Sequence, residues 1–155
     1  MKITIEIERQ FHTPASVEQV FEVLADVPRS ASHFPKANKI EPMDENVFRW
    51  ELEQVGPPPY STQPIYACRY HIEPENGIIR WEPVEGIGNV ELSGQWRFRP
   101  SEQSTEIHLR MKGILHTPLP SFMRFVAEPL ITREFESYID QYVENLQRTF
   151  DGSGE

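Results

Sequence analysis

Five histidines are the first residues of this 155-residue chain that could carry acid–base chemistry, and their positions decide most of them. His71 and His108 fall on the polar phase of alternating segments, which turns them toward water. His12 stands where a strand gives way to a helix and His33 lies in a short stretch between two prolines, so capping or packing accounts for both. His116, in a proline-rich segment before the last helix, is kept as a candidate binding residue. Arg9 is the one charge on the apolar phase of Ile3, Ile5, Ile7 and Phe11. If it points inward it must be paired or meet an anionic ligand group, and a slip of register at the strand end would expose it. Tyr66 and Tyr70 share a strand face and could polarise a carbonyl. The single cysteine, Cys68, has no companion at metal-ligand spacing and reads as a buried small hydrophobe. Glu51 and Glu53 lie on an outward phase. The chain has no Gly-x-Ser-x-Gly elbow, phosphate loop, His-Glu-x-x-His helix or dinucleotide fingerprint. No catalytic residue, metal or cofactor is therefore assigned.

These residues must be positioned by regular elements, and the periodicity places them. Residues 2 to 12 alternate as a strand with one buried face. HTPASVEQVFEVLADV then reads as a helix, with Thr13 or Ser16 able to cap it, Pro14 suited to its first turn, and Val17, Val20, Phe21 and Leu24 as its apolar stripe. Pro28 and Pro35 bracket room for one more brief helix. Six strands follow, NKIEPM, VFRWELEQV, IYACRYHIE, IIRWEPV, NVELSGQWRFRP and STEIHLRMKGIL, as an antiparallel meander. From residue 121 to 150 a helical period returns, with Phe122, Phe125, Val126 and Leu130 continuing into Phe135, Ile139, Tyr142, Leu146 and Phe150. The apolar face of the sheet is most simply covered by this long helix.

Turns of a meander alternate between the two ends of its sheet, and here the two groups differ in composition. DEN, PENG and SEQ are short and polar. GPPPYSTQP, EGIG and HTPLPS are longer, rich in proline or glycine, and carry Tyr60, Ile87 and Leu119. Trp50, Tyr66, Tyr70, Trp81, Trp96 and Phe98 all fall on the concave phase, where large aromatics can leave a void as easily as fill it. Leu109 and Met111 share that phase.

Composition narrows the class. With 38% hydrophobic and 25% charged residues the chain reads as one globular domain over residues 1 to 150 with a disordered tail, 151 to 155. No apolar run reaches the roughly 20 residues of a membrane helix, so no integral membrane segment is expected. The N-terminus lacks the apolar block of a signal peptide, which makes a cytoplasmic location the default. Twenty-four acidic against fifteen basic residues, a formal charge of −9, argue against nucleic acid as a partner. Nothing in the pattern sets an oligomeric state.

Two stretches carry a resemblance. FHTPASVEQVFEVLADVPRSASHFP resembles the opening of the START-like (SRPBCC) superfamily, and GQWRFRPSEQSTEIHLRM resembles its late hairpin. That superfamily includes Bet v 1-type proteins, polyketide cyclases and coenzyme Q-binding proteins. The resemblance implies an α+β helix-grip fold of about seven curved antiparallel strands around a long C-terminal helix. It also implies a cavity between them, open at the rim of residues 56 to 64, 84 to 89 and 116 to 121. Candidate ligand contacts are Arg9, Trp50, Tyr66, Tyr70, Trp81, Trp96, Phe98, Leu109 and Met111, with His116, Phe122 and Phe125 toward the rim. No catalytic residue carries over. Three readings stay open: binding or transport of a small hydrophobic molecule such as a lipid, quinone or polyketide; a cyclase or dehydratase using Tyr66, Tyr70, Arg9 or His116; and a protein-interaction module with a filled core.

Overall fold

A computed structural model describes residues 1–58 and 61–153. Tyr60, expected in the rim, lies outside the described residues. The chain forms β1 (Lys2–Thr13), α1 (Val17–Ala25), α2 (Val27–Ala31), β2 (Ala37–Asp44), β3 (Val47–Leu52), β4 (Ile65–Glu73), β5 (Ile78–Pro83), β6 (Val90–Ser101), β7 (Ser104–His116) and α3 (Arg124–Ser153). The strands make one antiparallel sheet in the order β1-β7-β6-β5-β4-β3-β2. The α+β helix-grip architecture expected from the sequence is the one observed.

Each element follows from local chemistry. Ile3, Ile5 and Ile7 alternate inward on β1 and pair along its whole length with β7, Ile3 opposite Leu115 and Phe11 opposite Ile107. α1 starts at Ser16, not Thr13. The Ser16 hydroxyl accepts from the Gln19 amide at 3.1 Å and the Gln19 side-chain oxygen accepts from the Ser16 amide at 2.8 Å, a reciprocal capping box. Pro14 thus precedes the helix rather than opening it, and the Thr13 hydroxyl accepts instead from the Ala15 amide. Asp26 ends α1 and caps α2, with Pro28 in the first turn, where a missing N–H costs nothing.

Two expectations for the C-terminal segment are corrected. The helix does not stop at residue 150. It continues through Ser153, and the Thr13 hydroxyl donates to the Asp151 carboxylate at 3.3 Å. The buried stripe of α3 is also out of phase with the one expected over its first turns. Ala127 and Ile131 face inward, while Phe122 is 77% exposed, Phe125 90%, and Val126 and Leu130 also face solvent. Inward residues run Ala127, Ile131, Phe135, Ile139, Tyr142, Leu146 and Phe150, a step of three or four throughout, so Ala127 belongs to the stripe despite its small size.

Gly94 shows why a residue without a side chain interrupts an aromatic strand. It lies opposite Trp81, and a Cβ there would come within 2.6 Å of the Trp81 ring and of the Arg110 carbonyl oxygen. The indole occupies the space that a side chain on β6 would take.

Gly94→Ala is expected to destabilise the fold by about 1–3 kcal/mol, the usual cost of overpacking, read as a lower urea midpoint at unchanged slope. The helix phase predicts a contrast of sites only two residues apart. Phe125→Asp should stay within about 0.5 kcal/mol of the parent, whereas Ala127→Asp buries an unpaired carboxylate and should cost several times more in thermal or urea unfolding.

Candidate functional site

Cross-strand register builds the site from alternating positions on β3 to β7. Trp50 lies opposite Tyr66, Tyr70 opposite Trp81, Ile79 opposite Trp96, and Trp96 opposite Leu109. The Trp50 and Tyr66 rings stack, with centroids 5.8 Å apart and planes 17° from parallel, while Tyr70 leans on Trp81 at 6.0 Å. α1 and α2 with the turn after them bring Leu24, Val27, Ser30 and Phe34 over this surface, and α3 adds Ile139 and Tyr142.

Space remains between these layers in two adjoining lobes, each with about 50 Å³ open to the centre of a water-sized sphere. The first lobe is lined by the aromatic ladder, Trp50, Tyr66, Tyr70, Trp81 and Trp96. The second lies between β1, the end of β7 and α3, against Ile5, Ile7, Leu52, Val90, Leu115 and Phe135. Tyr66, Leu92, Met111 and Ile139 border both and form the partition. No charged side chain lines either lobe among the described residues.

The polar groups of the first lobe are few. The Ser30 hydroxyl and the Tyr142 hydroxyl bond to each other across α2 and α3. Burial pushes the phenols of Tyr66 and Tyr70 well above the ordinary tyrosine range, and that of Tyr142 up to about 12 against the small opposing effect of its Ser30 partner. The Trp50 indole lies near the Tyr70 hydroxyl and offsets a little of that rise, but stops short of a hydrogen bond. Cys68, fully buried and donating to the Leu92 carbonyl at 3.4 Å, has its thiol pushed up by burial as well. At neutral pH these groups are uncharged hydrogen-bond donors, and the thiol is no nucleophile.

The structure brings together Trp50, Tyr66, Tyr70, Trp81, Trp96, Leu109 and Met111, and leaves the other five candidates elsewhere. Arg9 does not enter the cavity. Its Nε donates to Asp140 of α3 at 2.6 Å and its Nη1 to the Glu8 carbonyl at 2.8 Å, at the margin where β1 meets the helix. Phe98 is buried beside the lobes with its ring edge-on to Phe21 of α1. His116 is partly exposed in the rim, 4.0 Å from Glu91. Phe122 and Phe125 face solvent. The remaining histidines lie outside both lobes. His71 pairs with Glu82 and His108 with Glu8 on the outer face, and His12 lies 3.8 Å from Glu106. The His33 ring contacts Thr149 at 2.8 Å while its carbonyl accepts from Asn145, fastening α2 to α3. Among the described residues no group of three or more metal-ligating side chains gathers, and no helix is long and apolar enough to cross a membrane.

The three proline- and glycine-rich loops do meet at one end, joined by Asn89, a residue that the pattern of the sequence did not single out. Its side chain accepts from the Ile65 amide at 2.8 Å and donates to the Gln63 carbonyl at 2.9 Å, and its own carbonyl accepts from the His116 amide at 2.7 Å. Gly88 makes the approach possible. Its φ is +71°, and a Cβ there would fall 1.9 Å from the Ile65 carbonyl oxygen. Val55, Thr62, Thr117 and Leu119 are buried in this end. Ser30 and Asn89 went unnoticed because neither belongs to a periodic pattern, whereas Tyr142 stood on the visible α3 stripe.

Comparison with known proteins fits this geometry. No curated protein sequence matches the chain. Among solved structures it is similar to the Zhui aromatase/cyclase of Streptomyces sp. R1128, at 21% identity and a TM-score of 0.64 over 97% of this chain and 93% of that one. A START superfamily protein of Mycobacterium smegmatis aligns at 13% identity and a TM-score of 0.64, over 95% and 97% of the two chains. A norcoclaurine synthase of Thalictrum flavum aligns at 16% and 0.62, over 97% and 96%. At such identities these likenesses speak for the fold. The family described as polyketide cyclase / dehydrase and lipid transport matches residues 4–151, nearly the whole chain, and the protein belongs to that family, within the START/SRPBCC superfamily.

Proposed function

We propose that this protein binds a small hydrophobic molecule between the sheet and α3, with Trp50, Tyr66, Tyr70, Trp81, Trp96, Leu109 and Met111 as the contacting residues. The observation that carries the reading is the lining itself. It presents aromatic faces from four adjoining strands, no charged side chain among the described residues, and unfilled space. Affinity in such a site comes mostly from apolar area withdrawn from water, about 25 cal/mol per Å². A lobe of this size suits one small ring system. A longer ligand would span both and displace the partition, where Leu92 and Met111 are partly buried, flexible side chains. The family description, which joins polyketide chemistry with lipid transport, supports the same class of ligand.

Cyclisation or dehydration in the same cavity is the second reading, favoured by two protonated phenols, Tyr66 and Tyr70, on one strand face where a carbonyl could accept from them. Arg9 and His116 take no part in it, since neither lines the cavity. A solid-cored interaction module draws less support, because space remains inside.

Native mass spectrometry of the purified protein, followed by extraction and identification of any bound molecule, tests the binding reading. All three tryptophans of the chain line the first lobe, so a cavity ligand should change their emission saturably at one-to-one stoichiometry. Leu92→Phe, which fills the partition, should weaken that binding by about tenfold, or 1.4 kcal/mol. A folded protein whose emission no hydrophobic probe changes saturably would sink the proposal, and a mass change in the bound molecule would move it to the enzymatic reading.

Alkaline titration checks the charge state of the lining. The folded protein holds the Tyr66, Tyr70 and Tyr142 protons above the ordinary value near 10. Their contribution to stability is therefore complete below that pH and lost as the pH climbs past it. Phenolate absorbance from these residues is expected to appear together with loss of the near-ultraviolet dichroism, not before it.

A further inference from the structure

The geometry points to a ligand that is uncharged and carries a hydrogen-bond acceptor oxygen, a ketone, quinone or ester carbonyl, received by the indole N–H groups of Trp50 and Trp81. The inference rests on the binding reading above and specifies the chemistry of its ligand.

Trp50 is 8% exposed and Trp81 7%, and the Nε1 atom of each is buried with no hydrogen-bond partner. Buried donors without acceptors are rare in folded proteins, because each forfeits its hydration without compensation. They are the two orphaned polar side-chain atoms among the described residues, and both belong to residues lining the same lobe. The two indoles stand on β3 and β5, on either side of β4, where Tyr66 stacks on one and Tyr70 leans on the other. The lobe holds donors that its own acceptors do not meet. An indole nitrogen can only donate, and the Ser30 and Tyr142 hydroxyls are occupied with each other. The Tyr66 and Tyr70 hydroxyls also line the lobe, but neither accepts from an indole nitrogen, so both indole donors stay open to an oxygen brought by a ligand.

The same inventory excludes other polar groups. A carboxylate or phosphate would be buried with no cation in reach, since Arg9 is engaged by Asp140 outside the cavity and no Lys or Arg lines either lobe among the described residues. An ammonium would likewise meet no carboxylate. A flat molecule with one or two carbonyl oxygens satisfies the two indole donors and stacks on the aromatic ladder.

The test compares 1-indanone with indane, which share a shape and differ by one carbonyl oxygen. Each is titrated into the full chain labelled with ¹⁵N at the tryptophan indoles, which has three indole N–H resonances. The expected result is saturable binding of both, with indanone tighter by on the order of tenfold although it is the less hydrophobic. The Trp50 or Trp81 N–H proton should move downfield with indanone and not with indane. Trp50→Phe and Trp81→Phe should lower the ratio of indanone to indane affinity, whatever the lost ring area costs both probes, and the resonance shifts stand as evidence should either variant fail to fold. Equal binding of the two probes with no downfield shift overturns the assignment and leaves the binding reading standing. Saturable binding of neither overturns both.

Discussion

One helix has to cover the apolar face of seven strands. Strands about 4.8 Å apart make a sheet roughly 29 Å across, whereas a helix with its side chains is about 10 Å wide. A flat sheet of that breadth would leave most of its inner face wet, so the sheet curls around α3, and α1 and α2 close the remaining flank. The large side chains on β3, β4, β5 and β6 reach into the gap between the sheet and the helix. Rigid rings fill a curved space imperfectly, and the two lobes are what is left.

That origin explains the chemistry of the interior. Aromatic side chains give the greatest reach for the least flexibility, but Tyr and Trp bring polar atoms with them. Some are satisfied within the protein, as Ser30 satisfies Tyr142, and others, the two indole nitrogens, are not. Burial meanwhile keeps the phenols and the single thiol protonated, so the cavity donates hydrogen bonds and holds no charge. Charge is confined to the outer face and margins, where histidines pair with glutamates and Arg9 ties β1 to Asp140. Pairs so exposed contribute little to stability, and Arg9 mainly marks where sheet and helix meet.

The exposed apolar start of α3 follows from the same constraint. A helix has one inward stripe, and the stripe that serves the deep core from Phe150 back to Ile139 continues onto Ile131 and Ala127. Phe122, in the turn before the helix, and Phe125, Val126 and Leu130, in its first turns, face water although they are larger and more apolar than Ala127. Helical phase does not separate the two faces here, because at 3.6 residues per turn Phe125 stands close to the line of Phe150, and packing against the sheet decides which residue turns inward.

Alternation and helical period, read from residue types alone, determined the strand order along the chain, the long covering helix, the concave aromatic face, and the outward placement of His71 and His108. All of these are local, because a side chain's face within a strand is set by its parity. The family resemblance of the opening helix and the late hairpin was equally local. Tertiary structure alone decided what those faces meet: that Arg9 is met by Asp140 from 131 residues away, that Ser30 finds Tyr142, that Asn89 joins three loops, and that Trp50 and Trp81 find no acceptor. Parity tells which way a side chain points. Only the folding of distant segments onto one another sets how much room it finds there and which polar atom, if any, lies within reach of its own.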